Sequence, residues 1–172
     1  GYGISVLNDC KYGCDIHNGE IGLTMLKSAV YPNPDADKEH HSFTWSIAPH
    51  EGGWREGNTV AKAYVLNNPY QTAVKENEGG NLPASYSFVQ TDKENVVIEA
   101  VKKAEDSDAV IVRLYECYNR RGQTTLTFPR PVKRAVICNM LEEKMEEVLC
   151  CEVNKVPVQL KPYEIVTIKI EF

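Results

Sequence analysis

No run of apolar residues in this chain approaches the roughly 20 needed to cross a bilayer as a helix, and no segment has the layout of a signal peptide. Basic charge is not in excess either. The 172 residues carry a formal net charge of −5, which argues against nucleic acid as a partner, because phosphate contacts need a concentrated basic surface. The only basic cluster, Arg120, Arg121, Arg130, Lys133 and Arg134, reads as solvated strand ends. There is no GxSxG elbow, no HExxH and no Cys/His zinc spacing. The cysteines, at 10, 14, 117, 138, 150 and 151, include no Cys-x-x-Cys pair. With no export signal they read as reduced thiols rather than a disulfide framework, and the localisation expected is cytoplasmic. Internal repeats and low-complexity tracts are also missing.

What is present is alternation. Hydrophobic residues make up 42% and charged residues 25%, ordinary for a globular protein able to bury a core. Ile4 and Val6 mark a first strand, Ile21, Leu23 and Met25 a second, and Phe43, Trp45 and Ile47 a third, with the core expected on those apolar faces. Further strands are expected over 85–90, 96–101, 109–118, 123–128, 133–139, 149–153, 156–160 and 166–172. The stretch Asn119-Arg120-Arg121-Gly122 reads as a hairpin turn. Residues 141–147 read as a turn or short helix, and Pro49 to Trp54 as a turn cluster. One helix is expected near 58–68, capped by Asn58 or Thr59, with Val60, Ala63, Tyr64 and Asn67 on one face and Pro69 ending it. These signals predict an all-β fold: an antiparallel β-sandwich of about ten strands with one short inserted helix. No boundary divides it, so 1–172 reads as one domain, and 71–83 is its most loop-like stretch.

The chemistry-bearing residues gather in Gly1 to Trp54, which holds all four histidines. The loop Tyr31-Pro32-Asn33-Pro34-Asp35-Ala36-Asp37-Lys38-Glu39 is dense in carboxylates. Asn33, Asp35, Asp37 and Glu39 alternate as a calcium loop would, but an EF-hand needs Gly sixth and Glu twelfth, where this chain has Lys38 and Thr44. Asp35 and Asp37 are too close in sequence to bracket a glycosidic bond. His40 and His41 point to opposite faces of an extended segment. No residue is therefore assigned as catalytic or metal-ligating. A sugar rim fits the residues better: Tyr31 and Trp54 supply aromatic faces for C–H surfaces, and Asp35 and Asp37 supply acceptors for hydroxyls. Trp45 reads as core, and Asn8-Asp9 as an Asx turn.

The runs VLNDCKYGCDIHNGEIGLTMLKSAVYPNPDAD, HSFTWSIAPHEGGW, AKAYVLNNP and LKPYEIVTIKI resemble the C-terminal region of the family 38 α-mannosidases, closest to the bacterial and cytosolic branch. The chain starts at Gly1, almost directly in a strand, and is read as a piece of a longer protein. The resemblance implies a parent that hydrolyses α-mannosides with retention. Its N-terminal α/β barrel would carry a zinc ion and an aspartate nucleophile, with zinc orienting sugar hydroxyls. It implies that this region needs no cofactor of its own, packs on the barrel, and lends the segment Lys27 to Asp37 to the site rim. The partners so implied are the parent barrel, mannosides at the shared rim and, through the parent, further copies of the enzyme. Two other readings stay open: an independent carbohydrate-binding module, and a purely structural or oligomerisation scaffold.

Overall fold

The structure is a computed structural model that describes residues 1–74, 79–81, 83–148 and 153–172. Within the span, two compact units form, Gly1–Glu76 and Asn77–Phe172, meeting in sequence inside the polar 71–83 stretch. Cys150, Cys151 and most of the strand expected over 149–153 lie outside the described residues.

The first unit contains β1 (Tyr2–Asn8), β2 (Cys14–His17), β3 (Glu20–Leu23), β4 (Trp45–Glu51) and α1 (Thr59–Asn67). β2 and β3 form a hairpin whose turn places Asn18 and Gly19 at positive φ, the backbone such a tight turn requires. β1 pairs antiparallel with β4, Val6 opposite Ile47. The strand alternation expected here exists, but the covered face is the opposite one. Ser5 and Leu7 are buried, whereas Ile4, Trp45 and Ile47 are 61%, 50% and 55% exposed. Trp45 is thus not a core residue. α1 lies against β1, and Leu7 is the buried apolar residue of that strand. β4 also runs through Pro49 and His50, expected as a turn. Proline is tolerated there because β4 pairs with β1 alone among the described strands.

The helix occupies its expected place, with Asn58 as N-cap in a left-handed conformation, although its side chain makes no capping hydrogen bond. The Thr59 hydroxyl instead meets Ser5 Oγ at 2.6 Å. At the other end the Asn67 and Asn68 side-chain amides donate to the carbonyls of Ala63 and Tyr64, and the Asn68 backbone N–H also donates to Tyr64 O at 2.9 Å.

The second unit is the sandwich. One sheet has the order β10 (Lys144–Val148), β9 (Arg134–Cys138), β12 (Ile165–Glu171), β7 (Val110–Glu116), β6 (Val96–Lys103). The other has the order β11 (Lys155–Leu160), β8 (Gly122–Thr127), β5 (Gln90–Thr91). All pairings are antiparallel. Inward-facing Val112, Leu114, Val166, Ile168 and Ile170 of the first sheet join Leu126, Val156, Val158 and Leu160 of the second in one core. Phe88, Phe128 and Phe172 pack edge to face, with centroids 5.4–6.3 Å apart, near the favoured geometry for aromatic pairs.

Three expectations change here. The stretch 119–122 is not a hairpin, because β7 and β8 belong to different sheets. Asn119, at φ 61°, turns the chain from one sheet to the other. Residues 144–148 form the edge strand β10 rather than a turn or helix, and 85–90 contributes only the last residue of its expected strand to β5. Cys117 and Cys138 are buried free thiols, and Cys10 and Cys14 are exposed free ones.

Candidate functional site

The candidate loop runs from the end of β3 to the start of β4, residues 24–44. Its two ends are pinned. Thr24 N–H donates to Gly13 O at 2.8 Å. Thr44 N–H donates to Asp9 Oδ2 at 2.9 Å, and Asp9 N–H returns a bond to Thr44 O at 3.2 Å. Thr44's N–H is the main cause that holds the Asp9 carboxyl below its ordinary range, with the Cys10 thiol adding to it. Asn8 Oδ1 accepts from Lys11 N–H at 2.7 Å, the expected Asx turn, and the Lys11 ammonium sits 5.1 Å from the Phe43 ring centroid. Asp9, Lys11, Phe43 and Thr44 were not legible as a base for this loop, since the partners stand more than 30 residues apart.

Inside the loop Asp35 and Asp37 each have a local task. Asp37 Oδ2 accepts from Ser28 N–H at 3.0 Å, closing the segment on itself, and both residues have positive φ. That bond is the main cause lowering the Asp37 pKa; burial opposes it, and the Lys27 N–H, His41 and Lys11 reinforce it. His41 Nε2 donates to Asp37 O at 3.1 Å. Asn33 Oδ1 accepts from Asp35 N–H at 3.0 Å, and Asp35 Oδ1 pairs with Lys38 Nζ at 2.9 Å. The Tyr31–Pro32 peptide is cis, and Tyr31 is 87% exposed. Tyr31, Asp35 and Asp37 thus share one ordered loop. Trp54 belongs to the turn that leads into α1, where the Arg55 guanidinium lies 4.3 Å from its ring centroid. The loop presents the exposed Tyr31 ring in the same segment as the Asp35 and Asp37 carboxylates, a set of groups suited to a sugar ring's C–H face and hydroxyl edge.

Two family descriptions match the chain: "Glycosyl hydrolases family 38 C-terminal domain" over residues 1–35 and "Glycosyl hydrolases family 38 C-terminal beta sandwich domain" over residues 95–168. The chain belongs to glycosyl hydrolase family 38. The first match ends at Asp35, inside the candidate loop, and the second lies in the sandwich unit. This family 38 chain is 34% identical to alpha-mannosidase G of Dictyostelium discoideum over 98% of its length, covering 16% of that protein. It is 33% identical to alpha-mannosidase 2C1 of Homo sapiens, over 83% of this chain and 14% of that one. The chain therefore spans about a sixth of the relatives it matches. Its fold is similar to part of an Enterococcus faecalis alpha-mannosidase, with a TM-score of 0.75 at 20% identity, over 99% of this chain and 20% of that one.

Proposed function

We propose that this chain is the non-catalytic C-terminal β-region of a zinc-dependent, retaining, cytoplasmic α-mannosidase, and that residues 24–44 form part of the rim of its mannoside site. The observation that carries this reading is the α-mannosidase match along nearly the whole chain, which leaves most of each relative's length for the catalytic part. In the parent, hydrolysis would run through a glycosyl-enzyme intermediate that water then opens. Zinc, when bound, would polarise and orient sugar hydroxyls. Its ligands are assigned to the N-terminal barrel of the longer chain, where the family resemblance puts them. The part played here is positional. The Ser28–Asp37 and Asp9–Thr44 bonds hold the loop in one shape, so that Tyr31 and the Asp35 edge meet the sugar without first paying the entropy of ordering.

The full-length protein is expected to hydrolyse an aryl α-mannoside and to lose that activity on chelation. Replacing Asp35 and Asp37 by Ala in the full-length protein removes about one hydrogen bond's worth of binding, on the order of 1 kcal/mol, and raises KM roughly fivefold. Unchanged KM and kcat would reduce the loop to scaffold. No hydrolysis of any α-mannoside by the full-length protein would remove the reading altogether.

A further inference from the structure

The basic residues that read from the sequence as solvated strand ends part into two groups in the fold. Arg130, Lys133 and Arg134 are engaged around Phe172 and Glu171. The Arg130 guanidinium lies 4.1 Å from the Phe172 ring centroid, Lys133 Nζ donates to Phe172 O at 2.7 Å, and Arg134 pairs with Glu171 at 3.5 Å. Arg120 and Arg121 go elsewhere. They follow the turn at Asn119 and line a cleft of about 330 Å³ together with Lys93, from the turn between β5 and β6. All of these residues belong to the second unit. Among the described residues, no ion pair joins Lys93, Arg120 or Arg121 to a carboxylate. Arg120 has only the Tyr118 ring, its guanidinium 5.7 Å from the centroid.

The acceptors in reach are already used. Glu116 is the one carboxylate lining the cleft among the described residues, and both its oxygens accept from neutral donors: the Asn95 amide and the N–H groups of Tyr118 and Tyr163. Asp92, next to Lys93, accepts from the Thr124 hydroxyl and the Thr125 N–H. The donors are not used. Gln159 Nε2 donates to Gln123 Oε1 at 3.0 Å, which leaves the Gln123 NH2 group, on the same cleft, without a partner among the described residues. Three cations therefore stand against one carboxylate, in a chain whose net charge is −5. A cleft lined by one sign of charge focuses its field and gathers counter-ions. We propose that this cleft binds a phosphate group, held by Arg121, Lys93 and Arg120 with the Gln123 amide as a further donor. Phosphate brings acceptor oxygens alone, and its charge of about −2 matches the excess of positive charge. Its oxygens also fit the arginine fork in pairs, with lysine as a point charge beside them. A carboxylate would leave a positive charge and several donors unanswered.

The test is calorimetric titration of the full-length protein with inorganic phosphate at low salt. Saturable binding that weakens as salt is added is expected. Arg121→Gln and Lys93→Gln should each weaken it about tenfold, the worth of one charge-assisted hydrogen bond. Arg121→Lys should weaken it less, because the charge stays while the fork is lost. Arg134→Gln, from the other group of basic residues, should leave it unchanged. These side chains are exposed, so the variants are expected to fold, and urea unfolding checks that they do. Glycerol 3-phosphate, which carries the same group without a sugar ring, separates the two sources of phosphate: tighter binding assigns a phosphate monoester, equal or weaker binding the free ion. No saturable binding at millimolar phosphate would overturn the proposal. Binding that both Arg121→Gln and Lys93→Gln leave unchanged would also overturn it, since the ion would then sit elsewhere on the longer protein.

Discussion

Glu116 is the sharpest test of the sandwich's internal logic. It ends β7 with 1% of its surface exposed, yet its carboxylate is fully occupied. Oε1 accepts from Asn95 Nδ2 at 2.8 Å and from Tyr118 N–H at 2.7 Å, and Oε2 accepts from Tyr163 N–H at 3.0 Å. These donors belong to three separate segments: the turn before β6, the crossing from β7 to β8, and the turn before β12. Burial pushes the Glu116 pKa up; the Asn95 amide and the N–H groups of Tyr163, Tyr118 and Arg120 together outweigh it, and the net shift is downward. Glu116→Ala strands the Asn95 amide and the backbone N–H groups of Tyr118 and Tyr163. At about 1–3 kcal/mol for a buried group left unsatisfied, with partial relief by water, the loss is about 3–5 kcal/mol. Glu116→Gln preserves the shape, and its oxygen can still serve Asn95 and Tyr118. Its NH2 group then faces the Tyr163 N–H, donor against donor, at a cost of about 1–3 kcal/mol.

The sign of the pH effect follows. A carboxylate with a depressed folded pKa adds stability that is fully present above its unfolded value, about 4.3, and is lost as pH falls through the folded value. The gap between the natural chain and Glu116→Gln should therefore be full at pH 7 and narrow below about pH 4.3. Urea unfolding at several pH values measures the gap, and hydrogen exchange at the Tyr118 and Tyr163 amides shows where the protection is lost. A Glu116→Gln chain as stable as the natural one at pH 7, with those amides still protected, would refute the reasoning.

Two further predictions concern packing. A Cβ at Gly57 would lie 2.4 Å from the His50 ring, which Ser5 Oγ holds at 2.9 Å. Gly57→Ala should cost about 1–3 kcal/mol, and adding His50→Ala should recover part of it, a non-additivity that a double-mutant cycle in urea would read. Phe128, buried between Phe88 and Phe172, should cost about 3–5 kcal/mol when cut to Ala. A loss under 1 kcal/mol, against the usual cost of emptying an aromatic site, would mean that the three rings do not form the plug described.

Local pattern was enough for much of this chain. In β12 the alternation of Val166, Ile168 and Ile170 against Thr167 and Lys169 is a property of the backbone's two-residue period, and each of those apolar residues is buried. Asn58, in a left-handed conformation at the N-cap position, and Pro69 bracket α1, because start and stop signals act within a turn. The motifs from Val6 to Asp37 likewise pointed to family 38 without any coordinates. Tertiary structure decided the rest. Periodicity separates two faces of a strand but does not say which is covered, and in β1 the answer was the face of Ser5 and Leu7, because α1 packs there. It does not name a strand's partner either. β7 and β8, neighbours in sequence, part at Asn119 into different sheets, and β7 pairs instead with β12, some 50 residues on. The candidate loop shows the same division. Its acids and Tyr31 are visible in a nine-residue window, whereas the bonds that hold it, Asp37 to Ser28 and Asp9 to Thr44, join residues that only the folded chain brings within 3 Å.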